Sequence, residues 1–291
     1  MTMPNMRLFG MSGGGGLFSF STFTFTTAAL TGRIGPSRAE LLASYNLGAN
    51  PWLNNTSFFD MTTNGIQQWK VPKTGPYRFD IAGAKGGNNG SGGLVGGQGA
   101  SFSINMLLTA STILNIVVGQ QGVPGLSGRG GGGGGGSFVY TGAIGGNGLI
   151  AAAGGGSGAD DTGFSGLDAR SDFNPTNVAT PVTNDGLGGT SGQGSGAGWL
   201  GDGTGSSFPG TRWIGGSAID TGFGGFGGGG GDGDDGGNGG GFTGGSGTPG
   251  AGGSYYAGFS VSGGYTSIYS ASNFTWNGTN NGSGFVVITK L

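Results

Sequence analysis

Aromatic and β-branched residues alternate with polar residues at several places along the chain, a pattern that predicts half-buried β-strands. The first stretch covers residues 18–25, where four phenylalanines alternate with Ser and Thr. A one-residue slip in this alternation, at residues 21 and 22, predicts a β-bulge. Further strands are expected, in chain order, at residues 77–81, 100–106, 112–118 and 285–289. The run at 112–118 is continuously apolar, which predicts a strand buried on both faces.

One segment has the pattern of a helix instead. Residues 36–45 read PSRAELLASY, with a proline near the expected first turn. Leu41, Leu42 and Tyr45 would then lie on one face of the helix. The fold class predicted from these patterns is mainly β, with one short α-helix near residues 36–45.

Glycine changes this picture, because 79 of the 291 residues are glycine, with runs at 130–136, 154–156, 227–231 and 239–241. Such runs are typical of flexible linkers. Here, however, large apolar residues interrupt them and strands lie on both sides. A strict Gly-X-Y repeat is absent, which excludes a collagen triple helix. We therefore expect the runs to pack side by side as polyglycine II helices, whose backbones can approach closely because they lack Cβ atoms.

Composition divides the chain into three parts. Residues 1–16 are predicted to be an N-terminal arm, residues 17–121 and 254–291 a β-sandwich, and residues 122–253 a glycine-rich insertion. The arm lacks the basic and apolar regions of a secretory signal. Because no stretch approaches 18 consecutive apolar residues, membrane insertion is not expected.

The chain contains no His and no Cys, so disulfides, zinc sites, thiolate nucleophiles and His-based acid–base pairs are excluded. Nucleotide-binding patterns such as GxGxxG arise by chance at this glycine content, and they indicate no site. A net charge of −2 provides no general attraction to nucleic acid. We expect a protein that is not an enzyme, with no catalytic residues, no cofactor and no nucleic-acid partner.

Charge is nevertheless unevenly distributed. Residues 160–235 contain ten aspartates and two arginines, a net charge of −8, whereas the remainder carries +6. Asp160 and Asp161 are therefore candidates for contact with a basic partner, the alternative being that aspartates merely solvate polar loops. Asp232, Asp234 and Asp235 could supply clustered oxygens to Ca²⁺, or they could be solvent-exposed turn residues.

Four aromatic residues in or near the glycine-rich part are candidates for partner binding: Trp199, Trp213, Tyr255 and Tyr256. Together they could present an aromatic face to a sugar or a protein. The alternative is that they lie in a core or cover the ends of the glycine bundle. Sequence does not separate these two interpretations.

Several short signatures follow one another in a characteristic order, among them FTFTTAALTGRIGPSRAEL, GIQQWKVPKTGPYRFDIAGAKGG, LNIVVGQQG, GGGGGGGSFVY, LIAAAGGG and GSGFVVITKL. Across residues 18–291 this order resembles the glycine-rich domain in the ectodomain of anaplastic lymphoma kinase and leukocyte tyrosine kinase receptors. The resemblance implies an antiparallel, jelly-roll-like β-sandwich of the tumour-necrosis-factor type with an inserted bundle of polyglycine II helices. It also implies binding of a small basic protein through acidic surface. It implies no kinase activity, since the kinase signatures are absent.

The chain is also similar to glycine-rich tail-fibre adhesins of bacterial viruses, in which polyglycine layers hold variable loops outward. We therefore expect a non-enzymatic structural and attachment protein on the surface of a viral particle, specifically a bacteriophage. Its expected partners are other copies of itself, neighbouring virion subunits and a host-surface glycan or protein. Two alternatives are a subunit of a secreted extracellular filament or matrix, and a soluble ligand-binding module resembling the receptor domain.

Overall fold

The structure is a computed structural model that describes residues 16–291 except 92, 127, 162, 171–175, 178–184, 191–193, 233–234, 248 and 262. All but the last residue of the predicted N-terminal arm therefore lies outside the described residues. The strands are, in chain order, β1 Thr22–Phe25, β2 Phe59–Thr63, β3 Ile66–Lys70, β4 Gly75–Ala82, β5 Gly99–Leu108, β6 Ile113–Val117, β7 Ser137–Tyr140, β8 Leu149–Ala153, β9 Thr176–Asn177, β10 Gly250–Ala251, β11 Tyr255–Tyr256, β12 Ser272–Asn280 and β13 Phe285–Lys290.

Two antiparallel sheets form a β-sandwich. One has the strand order β1-β13-β4-β5-β12, and the other has the order β11-β8-β7-β6-β3-β2. A separate ladder pairs β9 with β10. Alternate residues of the two large sheets, such as Phe79 and Ile104 from one and Trp69 and Ile116 from the other, are fully buried in a shared core. The predicted sandwich is thus confirmed. The period-two patterns at 77–81 and 100–106 lie in β4 and β5, as expected.

The first strand is shorter than the alternation of phenylalanines predicts. β1 begins at Thr22, opposite Thr289, and its register with β13 is uninterrupted, so the predicted bulge does not lie within it. The preceding chain is held instead at the connection between β3 and β4, where the N–H of Leu17 donates to the carbonyl of Pro72 at 2.8 Å. Phe18 and Phe20 still pack against the core, which explains why their spacing resembles that of a strand.

The predicted helix is confirmed as α1 Arg38–Ser44. Ser37 caps its start, because the Glu40 N–H donates to Ser37 Oγ at 3.3 Å while the Ser37 N–H donates to Glu40 Oε2 at 2.7 Å. This reciprocal capping box satisfies two N–H groups that a helix start would otherwise leave unpaired. Leu41 is fully buried and anchors α1 on the sandwich. A 3-10 helix, Pro51–Asn54, follows it.

Several strands continue directly into glycine-rich segments. Residues 83–87 follow β4, residues 130–136 lead into β7, and residues 154–159 follow β8. We call these segments, together with residues 119–125, 224–231 and 236–245, the glycine bundle. The range 122–253 therefore supplies two strands of the sandwich, β7 and β8, while the bundle draws in segments that precede residue 122. Sandwich and bundle share backbone and are not joined by a linker.

Hydrogen bonds from the run 130–136 repeat every three residues. Its N–H groups donate to carbonyls on three other segments, and every third N–H meets the same segment. Gly131 and Gly134 donate to Ala159 and Gly156, respectively. Gly132 and Gly135 donate to Val123 and Gln120, and Gly133 and Gly136 donate to Gly230 and Gly227. All seven residues of the run are buried. Backbone groups of the bundle are thus satisfied by one another in the absence of side chains.

Only glycine fits at these contacts. A Cβ atom added to Gly133 would overlap the carbonyl oxygen of Asn238, and one added to Gly134 would overlap that of Ala84. Neither glycine has a positive φ, so the constraint is the close approach of neighbouring backbones and not the conformation of the residue itself. Gly93 offers a contrast, since no atom lies within 4 Å of the position its Cβ would take.

We predict that Gly133→Val lowers the free energy of unfolding by about 3 kcal/mol, because the added side chain must separate two packed segments. The matched variant Gly93→Val should change it by less than about 0.5 kcal/mol. Chemical denaturation followed by circular dichroism measures both. Equal effects at the two positions would show that the run is not closely packed.

Candidate functional site

Two of the four aromatic candidates lie inside a second core between the sandwich and the bundle. Trp199 and Trp213 are 0% and 3% exposed. Their rings pack on residues of β7, with centroids 4.1 Å apart for Phe138 and Trp213 and 5.1 Å apart for Tyr140 and Trp199. Trp199 Nε1 donates to the carbonyl of Gly146 at 3.1 Å. In this conformation neither indole is available to a partner.

The tyrosine pair on β11 is divided between interior and surface. Tyr255 is 1% exposed and stacks on Phe242 with centroids 4.7 Å apart. Tyr256 is half-buried and stacks on Phe274 of β12 at 4.9 Å. Of the four candidates only Tyr256 retains accessible surface, so the four do not form an exposed aromatic face. Trp199, Trp213 and Tyr255 instead pack in a core, which is the alternative that the sequence left open.

The aspartate candidates meet around Asp232. This residue is 3% exposed, its Oδ1 accepts the Gly236 N–H at 3.1 Å, and its own N–H donates to the carbonyl of Gly222 at 2.8 Å. Burial raises the pKa of Asp232 from its ordinary value of 3.8 to about 6, although the Gly236 hydrogen bond and the charge of Arg129 act in the opposite direction. Asp161 and Asp235 raise the pKa of Asp232 further through their negative charges.

The three predicted calcium ligands differ in their burial and in whether the structure describes them. Asp232 is buried and Asp235 half-buried, whereas Asp234 lies outside the described residues. Within the described ranges, no three acidic side chains are arranged to hold a metal ion. Asp160 and Asp161 are both half-buried, and the Asn89 side chain donates to the Asp161 carbonyl at 3.4 Å. What the structure does provide here is a buried carboxyl group, that of Asp232, on which Asp161, Asp235 and Arg129 act through their charges.

A groove that the sequence did not predict lies next to the start of β1. Residues 18–22 form one wall and residues 49–58 the other, and they enclose a volume of about 370 Å³. We call it the aromatic groove, after Phe18, Phe20, Trp52 and Phe58. The only signal in the sequence was the alternation at 18–25, which predicts a strand and not a cavity.

No protein-family model matches the chain. A segment of 100 residues, 34% of the chain, is 30% identical to part of the leukocyte tyrosine kinase receptor of Mus musculus. The matched segment spans 11% of that receptor. This similarity supports a distant relation between the chain and one part of the receptor. Among the described residues, no helix has the length and apolarity needed to cross a bilayer.

We predict that Asp232 makes the fold less stable as the pH rises. Its pKa is higher in the folded than in the unfolded chain, so its contribution to stability is complete below about pH 4 and is lost as the pH rises through about 6. The loss should reach about 2–3 kcal/mol by pH 8, and Asp232→Asn should abolish it. The exposed Asp220, replaced by Asn, provides the matched control.

Urea denaturation between pH 4 and 8 measures this effect. The wild type and Asp220→Asn should lose stability in parallel, while Asp232→Asn should lose about 2–3 kcal/mol less. Identical pH profiles for all three chains would contradict the assignment.

Proposed function

We propose that the chain is a non-enzymatic structural and attachment protein. In this proposal a rigid bundle of polyglycine II helices, continuous with a jelly-roll-like β-sandwich, holds loops outward for contact with other molecules. The observation that carries it is that successive N–H groups of residues 131–136 donate to three neighbouring segments in a repeating order. Rigidity is what an attachment scaffold requires, because a preorganised surface loses little conformational entropy on binding.

The three-residue repeat supports polyglycine II helices for a geometric reason. Such a helix has three residues per turn and no internal hydrogen bonds, so successive N–H groups point about 120° apart. Each N–H then meets a different neighbour, and every third one meets the same neighbour, as those of Gly131 and Gly134 do with residues 154–159. The same repeat occurs in the segment 236–245, where Gly237 and Gly240 donate to Gly131 and Gly134.

Loops that leave the bundle provide the contact surface in this proposal. Large apolar side chains are exposed there, including Phe164 and Ile219, each 55% exposed. An apolar side chain held in water on a rigid support favours association, because contact removes it from solvent. The loops differ in this respect from the bundle segments, whose glycines are buried except for the half-buried Gly125.

We place this protein on the surface of a viral particle, specifically a bacteriophage, with its own copies and neighbouring virion subunits as partners. Two features of the sequence support the placement. The chain contains no cysteine, whereas secreted eukaryotic domains are commonly cross-linked by disulfides. Its glycine-rich organisation is similar to that of tail-fibre adhesins, which is an analogy of architecture.

A second candidate function is a soluble ligand-binding module. The 30% identity to part of the mouse leukocyte tyrosine kinase receptor favours it. Under this alternative the acidic region 160–235 would bind a basic polypeptide. Within that region, Asp161 and Asp235 lie near enough to Asp232 to act on it through their negative charges.

Two measurements test the proposal. Cryo-electron microscopy of the native assembly should locate the chain on the outer surface of a particle. Purified chain added in excess should then reduce adsorption of those particles to host cells by occupying the same attachment sites. A continuous homopolymer formed by the purified chain alone would overturn the proposal in favour of a filament subunit.

Loop variants make the second measurement specific. We predict that the double variant Phe164→Ala and Ile219→Ala competes at least about fivefold less well than the wild type, since it removes the exposed apolar contacts. Leu107→Ala, which alters a 72% exposed side chain on the sandwich, should compete like the wild type. Equal competition by all three chains would show that the loops do not mediate attachment.

A further inference from the structure

We propose that the aromatic groove binds a neutral saccharide. This inference rests on the attachment role, to which it adds a ligand-binding surface beside β1 and a class of ligand, in addition to the loops that leave the bundle. Its volume of about 370 Å³ lies within the range of small-molecule sites. Of the described residues that line it, none is charged, so no lining side chain can form an ion pair with a ligand.

The aromatic rings form a fixed platform. Phe18 stacks on Trp52 with centroids 5.2 Å apart and an interplanar angle of 21°, and it also contacts Phe58 at 4.8 Å. Phe20 packs on Trp69 at 4.8 Å, which ties the platform to the core of the sandwich. Phe18, Phe20 and Phe58 are only half-buried, so part of each ring faces the groove. The C–H groups of a pyranose ring carry partial positive charge and suit the negative faces of aromatic rings.

Polar atoms at the rim are free to bind hydroxyl groups. Ser19 and Ser21 are exposed, and their hydroxyls have no hydrogen-bond partner among the described residues. Asn50 donates from Nδ2 to the Asn46 carbonyl at 3.2 Å, which leaves its Oδ1 as an acceptor. Asn55 accepts the Ser57 N–H at 2.9 Å, which leaves its Nδ2 as a donor.

These rim groups match a sugar better than an apolar or an ionic ligand. Each serine hydroxyl can donate and accept, as can each sugar hydroxyl, and the two asparagines add one acceptor and one donor in fixed positions. An apolar ligand would leave these groups without partners when it displaced water, and that loss costs affinity. A charged ligand would find no opposite charge among the described lining residues. The combination of ring platform and neutral rim therefore selects a neutral saccharide.

The test uses the full chain and saturation-transfer difference NMR. The probes are the neutral trisaccharides maltotriose, cellotriose and N,N′,N″-triacetylchitotriose, with 3′-sialyllactose as a charged comparison. We expect transfer to ring C–H protons of at least one neutral probe, and at most weak transfer to the sialylated one. No transfer to any neutral probe at millimolar concentration, or transfer to the sialylated probe alone, would overturn the inference.

Variants locate the binding. Phe18→Ala should weaken it about tenfold by removing the central ring, and the double variant Ser19→Ala and Ser21→Ala should weaken it about three- to tenfold. The double variant makes no interior change, so it remains informative if Phe18→Ala disturbs folding. Leu107→Ala, which shortens a 72% exposed side chain outside the groove, should bind like the wild type. Unaltered binding by the double serine variant would overturn the assignment to this groove.

The particle-adsorption assay separates this inference from the proposed function. If the purified chain still blocks adsorption but no neutral trisaccharide binds, the saccharide inference fails and the attachment role stands. If a trisaccharide binds in the groove but the chain does not block adsorption, the attachment role fails and the saccharide site stands.

Discussion

Close approach of backbones without side chains between them is the interaction on which the rest of this structure depends. In the run 130–136, six consecutive N–H groups find carbonyl partners on three other segments, and all seven residues are buried. Glycine loses more conformational entropy on folding than any other residue, so only dense and mutually satisfied contacts can order so much of it. Hydrogen bonds in every direction around each segment provide such contacts, and any Cβ between segments would remove them.

The sandwich makes this arrangement possible because it fixes where the segments begin. β4, β7 and β8 run directly into the bundle, so the sheet already sets the spacing of three segments at their ends. Side chains reinforce the junction: Ser137 Oγ donates to the Ala82 carbonyl at 2.6 Å and accepts the Gly119 N–H at 3.0 Å. Trp199 and Trp213 then fill the space beside β7. Sandwich, aromatic core and bundle therefore stabilise one another.

Sequence predicted those parts of the fold in which side chains carry the pattern. Alternation placed β4 and β5, and the Ser37–Glu40 spacing is consistent with the observed start of α1. The strand β12 was missed because its sequence, SNFTWNGTN, is rich in Asn and Gly and its register shifts twice against β5. Contacts between glycine runs were unpredictable in detail, since glycine has no side chain whose periodicity could indicate which run lies beside which.

The surroundings of the candidate site residues were equally unpredictable from the sequence. Trp199 and Trp213 stand among glycines without any periodic pattern, so nothing in their spacing distinguishes a core from a surface. The raised pKa of Asp232 depends on burial by segments distant in sequence. The aromatic groove is assembled from two segments about 30 residues apart, of which one was interpreted as a strand and the other not at all.

Amide hydrogen exchange of the intact chain tests the central claim most directly. If the glycine bundle is held by mutual backbone hydrogen bonds, the amides of residues 131–136 should exchange as slowly as those in the centre of β4 and β5, through global unfolding. Exchange of these amides at the rate of an unstructured glycine peptide, with the strands still protected, would contradict the account and make the runs flexible connections.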